Sequence, residues 1–150
     1  MSFNESNTVE HFFVHRLTDV NLNEVNAGNV VEEPIPAYDA AKWRFVPSDQ
    51  LGRDITEVLL EKELKESLCR LNPDINRNPE HAEEVVRKLR AILITVANVG
   101  LVRANEEFAK WMCNEHSLPF GPNGEHVKIR LIDYKELKNN SFILTNQFKV

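Results

Sequence analysis

Residues 127–150 read VKIRLIDYKELKNNSFILTNQFKV. In the first part Val127, Ile129 and Leu131 alternate with Lys128, Arg130 and Ile132. In the second, Phe142, Leu144, Phe148 and Val150 share one face, and Ile143, Thr145, Gln147 and Lys149 share the other. Period-two alternation predicts strands over 127–133 and 142–150, belonging to a sheet with one buried face. Asp133 opens the polar connection between them. The stretch stops on an apolar strand residue with no turn signal, Gly or Pro. The chain is therefore expected to be a fragment, with an unpaired strand edge open to another chain.

Working back from this sheet, SLPFGPNGEH (residues 117–126) reads as a loop, since it holds two glycines and two prolines. It lacks the GxxxxGK pattern of a phosphate-cradling loop. Neither His116 nor His126, which flank it, has a Ser or Cys partner at a catalytic spacing. Before it, the apolar spacing predicts three helices. One runs over 101–115 with Ala104, Phe108, Trp111 and Met112 inward. One runs over 79–97, capped by Asn78 with Pro79 at its first position, and buries Val85, Leu89, Ile92, Leu93 and Val96. One runs over 54–71, with Asp54 and Glu57 at capping-box spacing, until Asn72-Pro73 ends it. Leu60, Leu64, Leu68 and Leu71 line one side of that helix, and Ile55, Val58 and Leu59 lie nearly opposite. The fold class expected is α/β (α+β), a helical layer packed on a partial mixed β-sheet.

Residues 19–51 are irregular, with Pro34, Pro36, Pro47 and Gly28 among many Asn. Trp43, Phe45 and Val46 are where this loop should be pinned to the core, as a short strand. Its acids Glu32, Glu33 and Asp39 have no evident partner. A first helix is expected over 2–17, with Ser2 and Glu5 at capping-box spacing. Val9, Phe13 and Leu17 form its apolar stripe, with Phe12 alongside. At 100° per residue, Glu10 falls between Leu17 and Val14, inside the apolar arc. Its carboxylate either keeps its head in water at the stripe's edge or is aimed into a cleft; the wheel leaves both open. His11 and His15 are four apart but fall on the polar side without a third ligand, which favours a solvated face over a zinc site.

Length and composition narrow the class. A chain of 150 residues, 42% hydrophobic and 27% charged, is large enough to bury a core. A net charge of −5 argues against a free-standing domain that binds by neutralising phosphates, though not against a local basic patch. No apolar run reaches the roughly 18–20 residues of a membrane span, and the N-terminus lacks a secretory pattern, so no membrane partner is expected. Cys69 and Cys113 have no metal-ligand spacing and are expected to be free thiols in a cytoplasmic protein.

Four stretches carry a family resemblance: SFNESNTVEHFFVHRL, AAKWRFVPSDQLGRDITEVLLEKELKESLCRLNP, LVRANEEFAKWMCNEHSLPFGPNGEHVKIRLIDY and NNSFILTNQF. Taken together and in this order, they resemble the N-terminal part of the R (restriction and translocation) subunit of type I restriction enzymes. The resemblance implies a PD-(D/E)xK, restriction-endonuclease-like nuclease domain followed by ATP-hydrolysing motor domains. It implies Mg²⁺ and ATP as cofactors of the complete enzyme, and DNA and the modification (M) and specificity (S) subunits as partners. Such nucleases need an Asp ending one strand and an acid-x-Lys on the next; the carboxylates hold Mg²⁺, which lowers the pKa of the attacking water. In the family these follow a sequence like NNSFILTNQFKV. No such pair is expected within these residues, since Glu61, Lys62 and Glu63 sit on a helix and Asp133 in a connection, and no cofactor is expected on this segment alone.

The resemblance also implies an acid from the first helix near the metal, and the matching position is Glu10, the expected catalytic residue. The expected function is the N-terminal portion of a type I site-specific, ATP-dependent deoxyribonuclease that cleaves unmodified DNA, inactive as this segment alone. The alternative is a shortened, non-catalytic module that docks on the modification and specificity complex.

Overall fold

Pro73 has no N–H to donate and disfavours a helical residue before it, so the helix α2 (Glu61–Leu71) stops with Asn72 extended at φ −129° and ψ 104°. A second short helix, α3 (Pro73–Arg77), starts at once with Pro73 in its first turn. It was not anticipated from the sequence. Asn78 then caps α4 (Glu80–Val99), its Oδ1 accepting the Glu80 N–H at 3.3 Å. Gly100, at φ 84° and ψ 153°, turns the chain directly into α5 (Leu101–Met112); an L side chain rarely adopts that backbone.

These helices come from a computed structural model in which residues 9–20, 43–54 and 56–146 are described. The chain divides into two units, Glu57–Asn140 and Met1–Thr56 with Ser141–Val150.

In the unit of residues 57–140, α4 packs against α2 and α5. Leu68, Ile75, Val85, Val86 and Leu89 are buried together with Ala104, Trp111, Phe120 and Ile129. Glu61 pairs with Lys65 on its own helix and with Arg90 of α4, and Lys65 reaches Glu83 at 2.6 Å. Past α5, β2 (Ser117–Leu118) runs antiparallel to β3 (Val127–Lys128), with Ser117 opposite Lys128 and Leu118 opposite Val127. The Ile129 N–H still donates to the His116 carbonyl at 2.9 Å, and residues 130–132 then leave the ladder. The Asn72 amide donates to the Arg130 carbonyl and accepts its N–H, both at 2.8 Å. The Asn114 amide does the same for the Ile132 carbonyl and the Leu131 N–H, both at 2.8 Å. Buried backbone groups must be paired, and here side-chain amides replace a neighbouring strand.

In the other unit, β1 (Trp43–Phe45) runs parallel to β4 (Phe142–Leu144), with Trp43 opposite Phe142 and Phe45 opposite Leu144. The Trp43 and Phe142 rings lie 5.0 Å apart. The helix α1 (His11–Thr18) packs on β1, and Val14 is its buried residue.

The mixed α/β class holds, with five helices among the described residues, but two expectations about the sheet change. The strand expected over 127–133 is two residues long, and the one expected over 142–150 is described for Phe142–Leu144, its last four residues lying outside the described set. They belong to separate two-stranded sheets rather than one mixed sheet. The predicted loop 117–126 begins with a strand, and the short strand expected at Trp43–Phe45 is present.

Helix limits shift as well. The helix expected from Asp54 begins at Glu61, with Leu60 at its N-cap position. The β-branched Ile55, Thr56 and Val58 weaken helix formation there. The helix expected to reach residue 115 ends at Met112, and Leu93 of α4 is exposed rather than buried. On α1 the expected stripe of Val9, Phe13 and Leu17 is exposed, and Val14 is the residue covered. The capping box of Ser2 and Glu5, the start of that helix, Ile55 and most of the irregular loop lie outside the described residues.

Candidate functional site

Glu10 immediately precedes α1 with helical backbone angles, φ −60° and ψ −48°. It lies four residues before Val14, so the two share one helix face. Val14 is 2% exposed, and Glu10 is half-buried. Its Oε2 is shut from solvent and has no hydrogen-bond partner among the described residues. Buried polar atoms without partners are uncommon, and each calls for a reason.

His11 and His15 flank this face half-buried. Among the described residues no three His, Cys, Asp or Glu side chains gather where they could hold a metal ion. Glu61, Lys62 and Glu63 are on α2 as expected. Cys69 lies on α2, half-buried, and Cys113 is exposed one residue past α5; both are free.

Asp133, expected only to open a polar connection, is a buried hub. Its Oδ1 accepts the N–H groups of Lys135 and Glu136, each at 3.1 Å, and its Oδ2 accepts from the Asn139 amide at 3.0 Å. The Asn140 amide bonds both the Asp133 N–H and its carbonyl. The Asn139 amide, then the Glu136 N–H, hold the carboxyl below its ordinary 3.8; burial opposes them, and the Lys135 N–H and Arg130 add to the lowering. With every oxygen engaged inside its own turn, Asp133 organises residues 133–140 and is not placed as a free metal ligand.

Two surface recesses mark the unit of residues 57–140. One, of about 500 Å³, is lined by acids and arginines around His81, whose ring stacks on Phe120 at 3.9 Å. The other, of about 310 Å³, lies where the end of α2 meets β3, and it brings Arg70, Lys128 and Arg130 together. Sequence reasoning missed this grouping. Lys128 and Arg130 sit two apart on the outer face of an alternating stretch, but nothing local announces Arg70 as their neighbour.

The family model describing the type I restriction enzyme R protein N terminus (HSDR_N) matches residues 30–150. No curated protein and no solved structure gives a match. The matched region takes in the whole unit of residues 57–140 with the two recesses described above, while Glu10 and α1 precede it.

Proposed function

The chain belongs to the type I restriction enzyme R protein N-terminal family, and from that premise we propose that it forms the first part of the R subunit's nuclease domain. In the complete enzyme this domain cleaves unmodified DNA endonucleolytically. The modification and specificity subunits bring it to DNA, and an ATP-driven motor elsewhere in the subunit moves the DNA. The family match over residues 30–150 is the observation that carries this reading.

Within it, Glu10 is the catalytic carboxylate this chain contributes. Its support is the inward Oε2, which has no partner among the described residues and is an acceptor for a donor such as an attacking water. Mg²⁺, when bound by a nuclease of this kind, lowers the pKa of that water for in-line attack at phosphorus. The described residues do not gather a ligand set for the ion.

The test is Glu10→Gln in the complete enzyme. Gln keeps the size and hydrogen-bonding reach and removes the charge. Cleavage should fall by about 10²-fold, the lower end for loss of a general acid–base group, while ATP-driven translocation stays at the parental rate. Thermal stability should hold or rise, because a buried charge is lost. Parental cleavage by the variant would make Glu10 a packing residue.

A further inference from the structure

We propose that the recess formed by Arg70, Lys128 and Arg130 binds neighbouring phosphates of the DNA backbone, one cation to each. The inference rests on the DNA-directed reading above and assigns that DNA a contact surface away from Glu10.

Three cations meet at this recess, Arg70 from the end of α2 and Lys128 and Arg130 from the stretch that begins with β3. Arg70 is held in place: its Nε donates to the Asn139 carbonyl at 2.9 Å and its Nη2 to Ser67 Oγ at 3.0 Å. Arg130 is positioned through its backbone by the buried amide of Asn72, which grips its N–H and its carbonyl. Lys128 lies on the same outer face as Arg130 and has no ion pair among the described residues.

The acids nearby are already occupied. Asp74, which also lines the recess, is paired with Arg77 at 2.7 Å. Asp133 pairs with Arg130 at 3.8 Å while its oxygens accept from its own turn, so it offsets part of only one of the three positive charges. The recess therefore presents positive charge on a chain whose net charge is −5. Arg70 is fixed through its guanidinium and Arg130 through its backbone, so the grouping is built into the fold. A guanidinium offers planar, paired donors to phosphate oxygens, and an ammonium adds a point charge. The side-chain amides of Asn72 and Asn114 also line the recess but are engaged with backbone, so the cations are left to meet the ligand.

Phosphate could also arrive as a small anion, and the experiment separates the two sources. Binding of a short fluorescent DNA duplex to the 150-residue chain is followed by anisotropy across a range of low to moderate salt. Each phosphate contact contributes about −0.9 to the slope of log affinity against log salt. The parental chain should show a slope of about −2 to −3, and Arg70→Gln/Lys128→Gln/Arg130→Gln should lose most of it, with affinity at low salt falling at least about tenfold. Lys128→Gln alone, which removes no structural bond, should reduce the slope by about 0.9. Lys62→Gln/Lys88→Gln/Lys110→Gln removes the same charge elsewhere and should bind like the parent. Equal loss in both triple variants, an unchanged Lys128→Gln slope, or no duplex binding by the parent would each overturn the proposal. So would saturation by millimolar inorganic phosphate with no duplex binding, which would mark a small-anion site. None of these outcomes bears on the cleavage defect of Glu10→Gln, so the two readings fail separately.

Discussion

At the scale of single residues, Asp133 is the group whose charge the fold uses most openly. Its carboxylate accepts from Lys135, Glu136 and Asn139, and these donors favour the ionised form. A folded-state pKa below the ordinary 3.8 means the carboxylate stabilises the fold fully above that value. That contribution is lost as pH falls from 3.8 through the lower folded value. Asp133→Ala should melt several degrees lower than the parent near neutral pH. The gap should close as the pH is taken below 3.8, measured by paired thermal melts across the acid range. A gap that is the same at every pH would assign the loss to packing instead of charge.

At the scale of elements, the connection between β2 and β3 is closed by tight packing around Gly121. A Cβ there would stand 2.9 Å from the Glu125 carbonyl oxygen and 3.0 Å from Val127 Cγ1. The carbonyl is not free to withdraw, because it accepts the Gly121 N–H at 2.9 Å and so closes the turn. Gly121 has φ −75°, so the constraint is steric and not one of backbone handedness. Gly121→Ala should destabilise by about 1–3 kcal/mol, the usual penalty for forcing extra atoms into a packed site. Chemical denaturation with an unchanged m-value would read it directly. Stability equal to the parent would show that the turn shifts without loss.

For the whole molecule, the division into two units can be followed with the chain's own fluorophores. It has two tryptophans, and each unit holds one. Trp111 is 3% exposed in the core of residues 57–140 and stacks on His116 at 4.3 Å. Trp43 lies on the parallel pair β1–β4, beside Phe142. A unit with its own buried core can unfold as its own cooperative step. In Trp43→Phe, fluorescence should follow the loss of helical circular dichroism, because α2 to α5 belong to the unit of Trp111. In Trp111→Phe, the remaining Trp43 signal should change at a different midpoint. Coincident midpoints in both variants would show that the chain unfolds as one cooperative block.

Local chemistry was enough to read much of this chain. Asn78-Pro79 starts α4, Asn72-Pro73 stops α2, and the spacing of Leu64, Leu68, Leu71, Val85 and Leu89 marks core faces. Each depends on neighbours within a turn or two, which a sequence displays. The placing of Glu10 on the same face as Val14 was legible for the same reason, since helical geometry sets it, while the wheel left open whether its carboxylate faces water or a cleft. Which stripe of α1 is covered was not, because that depends on the strand packed against it, and β1 is more than twenty residues further along. The strand pairing was hidden for a similar reason. Alternation says that 127–133 has two faces, but not that Asn72 and Asn114 will take the backbone bonds of 130–132 in place of another strand. It cannot tell that Phe142–Leu144 will pair in parallel with Trp43–Phe45, a partner about a hundred residues earlier. Arg70, Lys128 and Arg130 become one electrostatic feature only after folding, since a Coulomb interaction depends on distance in space and not along the chain.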